Sequence, residues 1–429
     1  MPNQFADGRF RFGLGIEDTF IPQEQLGRRR LDEYELTQHY VQWRDDLTLA
    51  AHTGARLLRY GFPWYRLNPA PGEYAWEWSD RVVDVLAERG FEVVVDLMHY
   101  GTPMWLDNAF ANRDYPRRLA EYAYAFAQRY GDRLTAWTPL NEPQINAMQC
   151  GEIGLWPPYL HGDDGYLQVL RALCEGIVRT QEAITAATSG TATFVHVEAS
   201  LRYVEVGPER WDRIALLQER RFLALDLVTG RVGDDHPLRS YLDDHGITED
   251  ELAWLRDHTA MPDVLGINYY PVWGTEEHYI ENGVRRMRQH NGWTDALEEL
   301  IRCYGDRYQV PVLLSETSVA GTPQERIDWL GDSVALMRRL RAEGVNVVGY
   351  IWWPLFDVVE WQYREALTPV EQHTVPMGLY TLVPDDVGIF RRQHNASVDR
   401  FRAVVSEGLP DLPPLSAEDA GSRTRWSGR

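Results

Sequence analysis

Eight short apolar runs, separated by stretches of helical spacing, organise this chain: residues 10–16, 55–60, 91–98, 134–140, 193–198, 264–268, 312–315 and 347–352. Several are almost continuously apolar, such as VVVDLM at 93–98, which suits parallel strands covered on both faces. Between them lie readable helices. Ser79 is placed to cap SDRVVDVLAERG, whose Val82, Val83 and Leu86 form one stripe. Pro116 fits the first turn of a helix that buries Leu119, Tyr122, Phe126 and Tyr130 and stops at Gly131. Another runs from about Pro323 to Gly344, and a shorter one opens at Thr294.

Eight strands alternating with helices fit either a closed barrel or a doubly wound open sheet. The first run leads into GIEDTFIPQ, with no glycine-rich phosphate turn, which weakens the open sheet. The expected fold is therefore an α/β protein, a (β/α)8 TIM barrel forming a single domain with long βα loops over residues 1–405. Residues 406–429 are rich in Pro, Ser, Gly and charge and read as a disordered C-terminal tail.

Composition narrows the function. Of 429 residues, 64 are acidic and 43 basic, a formal charge of −21, so neither nucleic acid nor membrane is an expected partner. Every basic residue is Arg; without lysine there is no Schiff-base chemistry and no P-loop. Three cysteines (Cys150, Cys174, Cys303) make no disulfide framework, and no leader-like or 18-residue apolar segment occurs, so a cytoplasmic protein is expected. The sequon Asn395-Ala396-Ser397 then reads as chance. No His/Cys/Asp cluster has metal-ligand spacing, and neither metal nor cofactor is expected.

A barrel carries its active site at the C-terminal ends of its strands. Those positions hold Glu17-Asp18, Arg59, His99, Asn141-Glu142, Asn268-Tyr269-Tyr270, Glu316 and Trp352-Trp353. Two carboxylates among amides and aromatics suit glycoside cleavage, where one carboxyl donates a proton and the other attacks or activates water. Arg59 is placed to keep Glu316 ionised, leaving Glu142 to hold the proton, and Pro143 is expected to keep Glu142 in extended backbone. Taken singly, each residue also has a structural explanation, such as an ion pair, a turn or a core aromatic.

With these residues in view, the chain resembles glycoside hydrolase family 1, the β-glucosidase-like retaining enzymes, from FGLG at the start to VDRF near residue 400. TPLNEP is similar to the family's acid/base motif, which implies Glu142 as acid/base and Asn141 as a contact to the sugar 2-hydroxyl. LLSET falls where the family has its nucleophile, implying Glu316. GINYY implies Tyr270 as the nucleophile's hydrogen-bond partner, with Asn268 beside it as a further substrate-binding candidate. The segments around Arg59 and His99 imply catalytic support and a glycone ligand. YIWWPLFDVVEW implies Trp353 as sugar platform and Glu360 and Trp361 as glycone ligands; phospho-glycosidases of the family carry Ser and Lys groups in place of that acid. The chain departs from the pattern in lacking the family's Gln after strand one, where Glu17, Asp18 or Phe20 stands, and in reading His-Tyr-Gly for His-Trp-Asp. The implied substrate is a small-molecule glycoside or oligosaccharide, uncharged and β-linked. A polysaccharide-acting relative of the same clan, a transglycosidase and a catalytically silent sugar-binding barrel are the alternatives.

Overall fold

The computed structural model describes residues 3–22, 25, 27–207 and 212–414. Eight parallel strands close into a barrel: β1 (Arg11–Gly15), β2 (Leu57–Gly61), β3 (Glu92–Asp96), β4 (Ala136–Thr138), β5 (Thr193–Ala199), β6 (Val264–Asn268), β7 (Val312–Thr317) and β8 (Val347–Trp352). Each pairs with its neighbour in sequence, and β1 closes on β8 with Arg11 opposite Gly349. Every expected apolar run carries one of these strands. The barrel is the (β/α)8 architecture and not the open sheet.

Helix boundaries follow local chemistry. Tyr115–Tyr130 buries Leu119, Tyr122, Phe126 and Tyr130 and ends at Gly131. Pro323–Ala342 opens with a reciprocal cap between Thr322 and Glu325. Ser79 does not cap its helix: Glu77–Glu88 starts two residues earlier, and the Ser79 hydroxyl donates back to the Trp76 carbonyl at 3.0 Å. Asn395 of the sequon caps the last helix, Ala396–Glu407, through the Ser397 N–H at 2.9 Å. The expected tail starts too early, because that helix continues past residue 405. Beyond it the Leu412 N–H donates to the Gly8 carbonyl at 2.9 Å, and Arg341 donates to the carbonyls of Gly8 and Pro410 at 3.0 and 2.6 Å. Gly8 stands at φ +79°, and a Cβ there would lie 2.0 Å from the Leu412 oxygen, so only glycine allows this closure. Residues 415–429, the rest of that expected tail, lie outside the described residues.

Leu57, Val94, Ala136, Val195, Val197, Leu313 and Ile351 form an apolar cluster with Phe5, separate from the larger core under the helices. Side chains two residues apart on a strand share a face. One step beyond Leu57, Val94, Ala136 and Leu313 on that face come Arg59, Asp96, Thr138 and Ser315, all buried. The barrel interior thus changes from apolar to polar toward the C-terminal ends of the strands. Among the described residues no helix is long and apolar enough to cross a membrane.

Candidate active site

The polar end of the barrel is organised around Arg59. Its guanidinium, fully buried on β2, donates to Glu316 Oε1, to Asp96 Oδ2 at 2.5 Å and to Asn141 Oδ1 at 2.6 Å. It also lies over the Trp353 ring, 4.8 Å from the centroid. Burial disfavours a charged guanidinium, but Asp96 and Glu316 more than offset this and hold it protonated. Asp96 is pushed up by burial and pulled lower still by Arg59 and His99, ending below the ordinary carboxylate range.

Glu316 reaches the mouth through an irregularity in β7. Leu314 pairs with Ile267, yet the next pair is Glu316 with Asn268, so one extra residue enters the strand. Such a bulge re-aims the side chains that follow it. Here Ser315 donates to Asn268 Oδ1 at 2.7 Å while Glu316 Oε2 accepts from the Tyr270 hydroxyl at 2.8 Å.

Glu142 sits just past β4, and its backbone is not extended as the following proline suggests. It adopts φ +43°, ψ 67°, fixed by its N–H on the Val197 carbonyl (3.2 Å) and its own carbonyl accepting from Asn146 N–H (3.0 Å). The next N–H, of Gln144, donates to the buried Glu198 carboxylate at 3.3 Å. Together these contacts outweigh the preference of a pre-proline residue for the β region. The Glu142 carboxyl accepts from Asn268 Nδ2 at 2.6 Å and from the Tyr100 hydroxyl.

Both carboxyls are pushed up by burial, Glu316 to about 8, where Arg59 opposes the rise and Glu142 adds to it. For Glu142, Tyr100 and Asn268 act against burial. The charged form is better supported on Glu316, which a cation touches, than on Glu142, whose hydrogen-bond donors are neutral.

Around this pair, His99 stacks on Trp353 with centroids 5.5 Å apart and 15° between planes, and its Nε2 meets Asn141 Nδ2 at 2.9 Å. His99 Nδ1 lies between Asp18 (3.1 Å) and Asp96 (3.2 Å). Burial works against its charge, but these two acids raise its pKa well above the ordinary value. Asp18, Asp96 and His99 bring ligand-type atoms within 4.8 Å of one another, and Asp96 Oδ2 among them already accepts from Arg59. Trp353 donates through Nε1 to Glu17 at 2.9 Å. A Cβ on Gly15 would lie 1.7 Å from Trp353 Cε3, so the bare backbone at the end of β1 admits this ring.

The structure therefore brings Glu142, Glu316, Arg59, Asn141, His99, Asn268, Tyr270 and Trp353 together. Trp361 joins them at the rim, its ring 5.7 Å from Tyr100 and 5.1 Å from Trp156. Glu360 does not reach this network. Its carboxylate pairs with His373 at 2.6 Å and its side chain is 42% exposed. Sequence reasoning assigned no role to Asp96, Tyr100, Ser315 or Glu198. The signal for Asp96 was present, a lone acid inside VVVDLM; Ser315 and Glu198 likewise lie on strands, whereas Tyr100 owes its place to left-handed backbone.

Comparison with known proteins gives the family and the fold. The family model for glycosyl hydrolase family 1 matches residues 5–366. A bifunctional β-D-glucosidase/β-D-fucosidase of Bifidobacterium breve is 26% identical over 392 residues, covering 77% of this chain and 83% of that protein. An aryl-phospho-β-D-glucosidase of Bacillus subtilis is 24% identical over 379 residues, 75% of this chain and 78% of its own. Among solved structures, a family 1 β-glucosidase from Thermotoga maritima superposes with a TM-score of 0.77 at 17% identity, covering 95% of this chain and all of that one. The chain belongs to glycosyl hydrolase family 1 and is a glycoside hydrolase of the β-glycosidase type.

Proposed function

We propose that this enzyme hydrolyses an uncharged β-linked glycoside by double displacement with retention, with Glu316 as nucleophile and Glu142 as acid and then base. The observation that carries the reading is the unequal support of two buried carboxyls at one mouth. Glu316 is held by a guanidinium and a phenol, Glu142 by an amide and a phenol.

In the first step a Glu316 oxygen attacks the anomeric carbon as the bond to the leaving oxygen breaks, and the Glu142 proton passes to that oxygen. An α-linked glycosyl ester on Glu316 results. Glu142, now ionised, takes a proton from water, the water oxygen attacks the same carbon, and Glu316 leaves as carboxylate. Trp353, His99 and Asn141 are placed to bind the glycone, and Arg59 and Tyr270 keep the nucleophile oriented.

An uncharged glycone is favoured by the acids around the pocket. Glu17, Asp18 and Asp96 surround His99, and the whole chain has no lysine. A phosphate dianion would enter a field of its own sign. Trapping with a 2-deoxy-2-fluoro β-glycoside and mapping the labelled peptide is the test, with the product anomer read by NMR. A label on Glu316 and a β-configured first product are expected. A label elsewhere, or an inverted product, overturns the mechanism.

A further inference from the structure

Tyr100 and Glu142 approach from different loops, and both stand in left-handed backbone, at φ +75° and +43°. Residues with a side chain persist in that region only where their surroundings fix them. One residue serves both. Asn146 donates through Nδ2 to the Tyr100 carbonyl at 3.3 Å and through its backbone N–H to the Glu142 carbonyl at 3.0 Å. The Tyr100 ring is confined further by the rings of His99, Trp156 and Trp361 at 4.8, 5.1 and 5.7 Å. The outcome of this doubly strained arrangement is one contact, the Tyr100 hydroxyl on Glu142 Oε2.

We propose that Tyr100 is a positioning residue for the acid/base: its hydroxyl holds the Glu142 carboxyl in place and donates to it during the half-reaction in which it serves as base. The proposal rests on the reading of Glu142 as acid/base. A phenol donating to a carboxylate favours its ionised form, which opposes the acid role slightly and supports the base role. The other titratable or charged groups facing Glu142 are Arg59 on β2, His99 after β3, Glu198 on β5, Tyr270 after β6 and Glu316 on β7. None of them changes when the Tyr100 hydroxyl alone is removed.

The test is Tyr100→Phe, which keeps the packed ring. With a dinitrophenyl glycoside the first step needs no acid, so kcat reports the second step and kcat/KM the first. About a tenfold fall in kcat with little change in kcat/KM is expected. With a poor leaving group, the basic limb of the kcat/KM profile should move up by about one pH unit. Fluorotyrosine at position 100, a stronger donor of the same shape, should move that limb down; this variant carries the test even if Tyr100→Phe does not fold. An unmoved limb, shifts in the same direction, or equal losses in kcat and kcat/KM overturn the proposal. Glu142→Ala with azide tests the underlying reading separately: if no β-glycosyl azide forms, the acid/base assignment itself has failed.

Discussion

Replacing Arg59 with Met keeps a long apolar stem beside Trp353 but removes the cation that serves both Glu316 and Asp96. Breaking a buried ion pair by removing one partner costs about 3–5 kcal/mol, because a desolvated charge is left uncompensated. Glu316, already raised to about 8, is driven to its neutral form by the loss, so the uncompensated charge at pH 8 is that of Asp96 and the lower part of that range is expected. The cost should shrink at pH 5. In the native enzyme Asp96 lies below its ordinary value, so its contribution to stability is complete above pH 3.8 and constant between pH 5 and 8. Without Arg59, burial drives its carboxyl upward, and at pH 5 it can take a proton and escape the penalty. The same loss leaves Glu316 harder to ionise, so the acid limb of kcat/KM should move to higher pH, with activity at pH 7 down about 10²–10³-fold. Urea unfolding followed by tryptophan fluorescence at pH 8 and pH 5, together with a pH–rate profile, measures both effects. A variant within about 1 kcal/mol of the parent at pH 8, or destabilised equally at both pH values, would refute the reasoning.

Removing Glu142 as Glu142→Ala should slow hydrolysis of unactivated glycosides about 10²–10⁴-fold while sparing the first step for dinitrophenyl glycosides. Added azide should restore turnover as a β-glycosyl azide, identified by NMR. Gly15→Ala places a methyl where the Trp353 ring lies; overpacking of about 1–3 kcal/mol should lower Tm, and the displaced platform should raise KM more than it lowers kcat. An aryl β-glucoside should be cleaved in clear preference to its 6-phosphate, and the reverse ranking in parallel kcat/KM measurements would refute the uncharged-glycone reading.

The barrel was legible because its strands are short apolar runs between helices, a pattern that survives without tertiary information. The two carboxylates were legible for a related reason, each being an acid at the end of a strand. Other features depend on contacts that spacing does not encode. The 26-residue helix Gly162–Ala187 is buried on more than one stripe: beside Tyr166, Val169, Leu170, Leu173 and Ile177 at helical spacing, Leu167 and Ala172 are buried as well. Tyr100 reads as a strand-end aromatic until its positive φ turns it toward Glu142. Glu360 was carried to the glycone by its segment, whereas its side chain turns to His373. Ser79 has the chemistry of a cap but lies inside the first turn, because the helix begins earlier, at Glu77.

The clasp between Gly8 and Leu412 has a practical consequence. It lies on the side from which β1 starts, whereas Glu142 and Glu316 lie where the strands finish. Both ends of the described chain therefore leave the barrel floor close together, on the face away from the catalytic mouth. A support attached on this face, at a residue beside Gly8 or Leu412, leaves glycosides free access to the mouth. Immobilised enzyme should then keep the KM of the free enzyme.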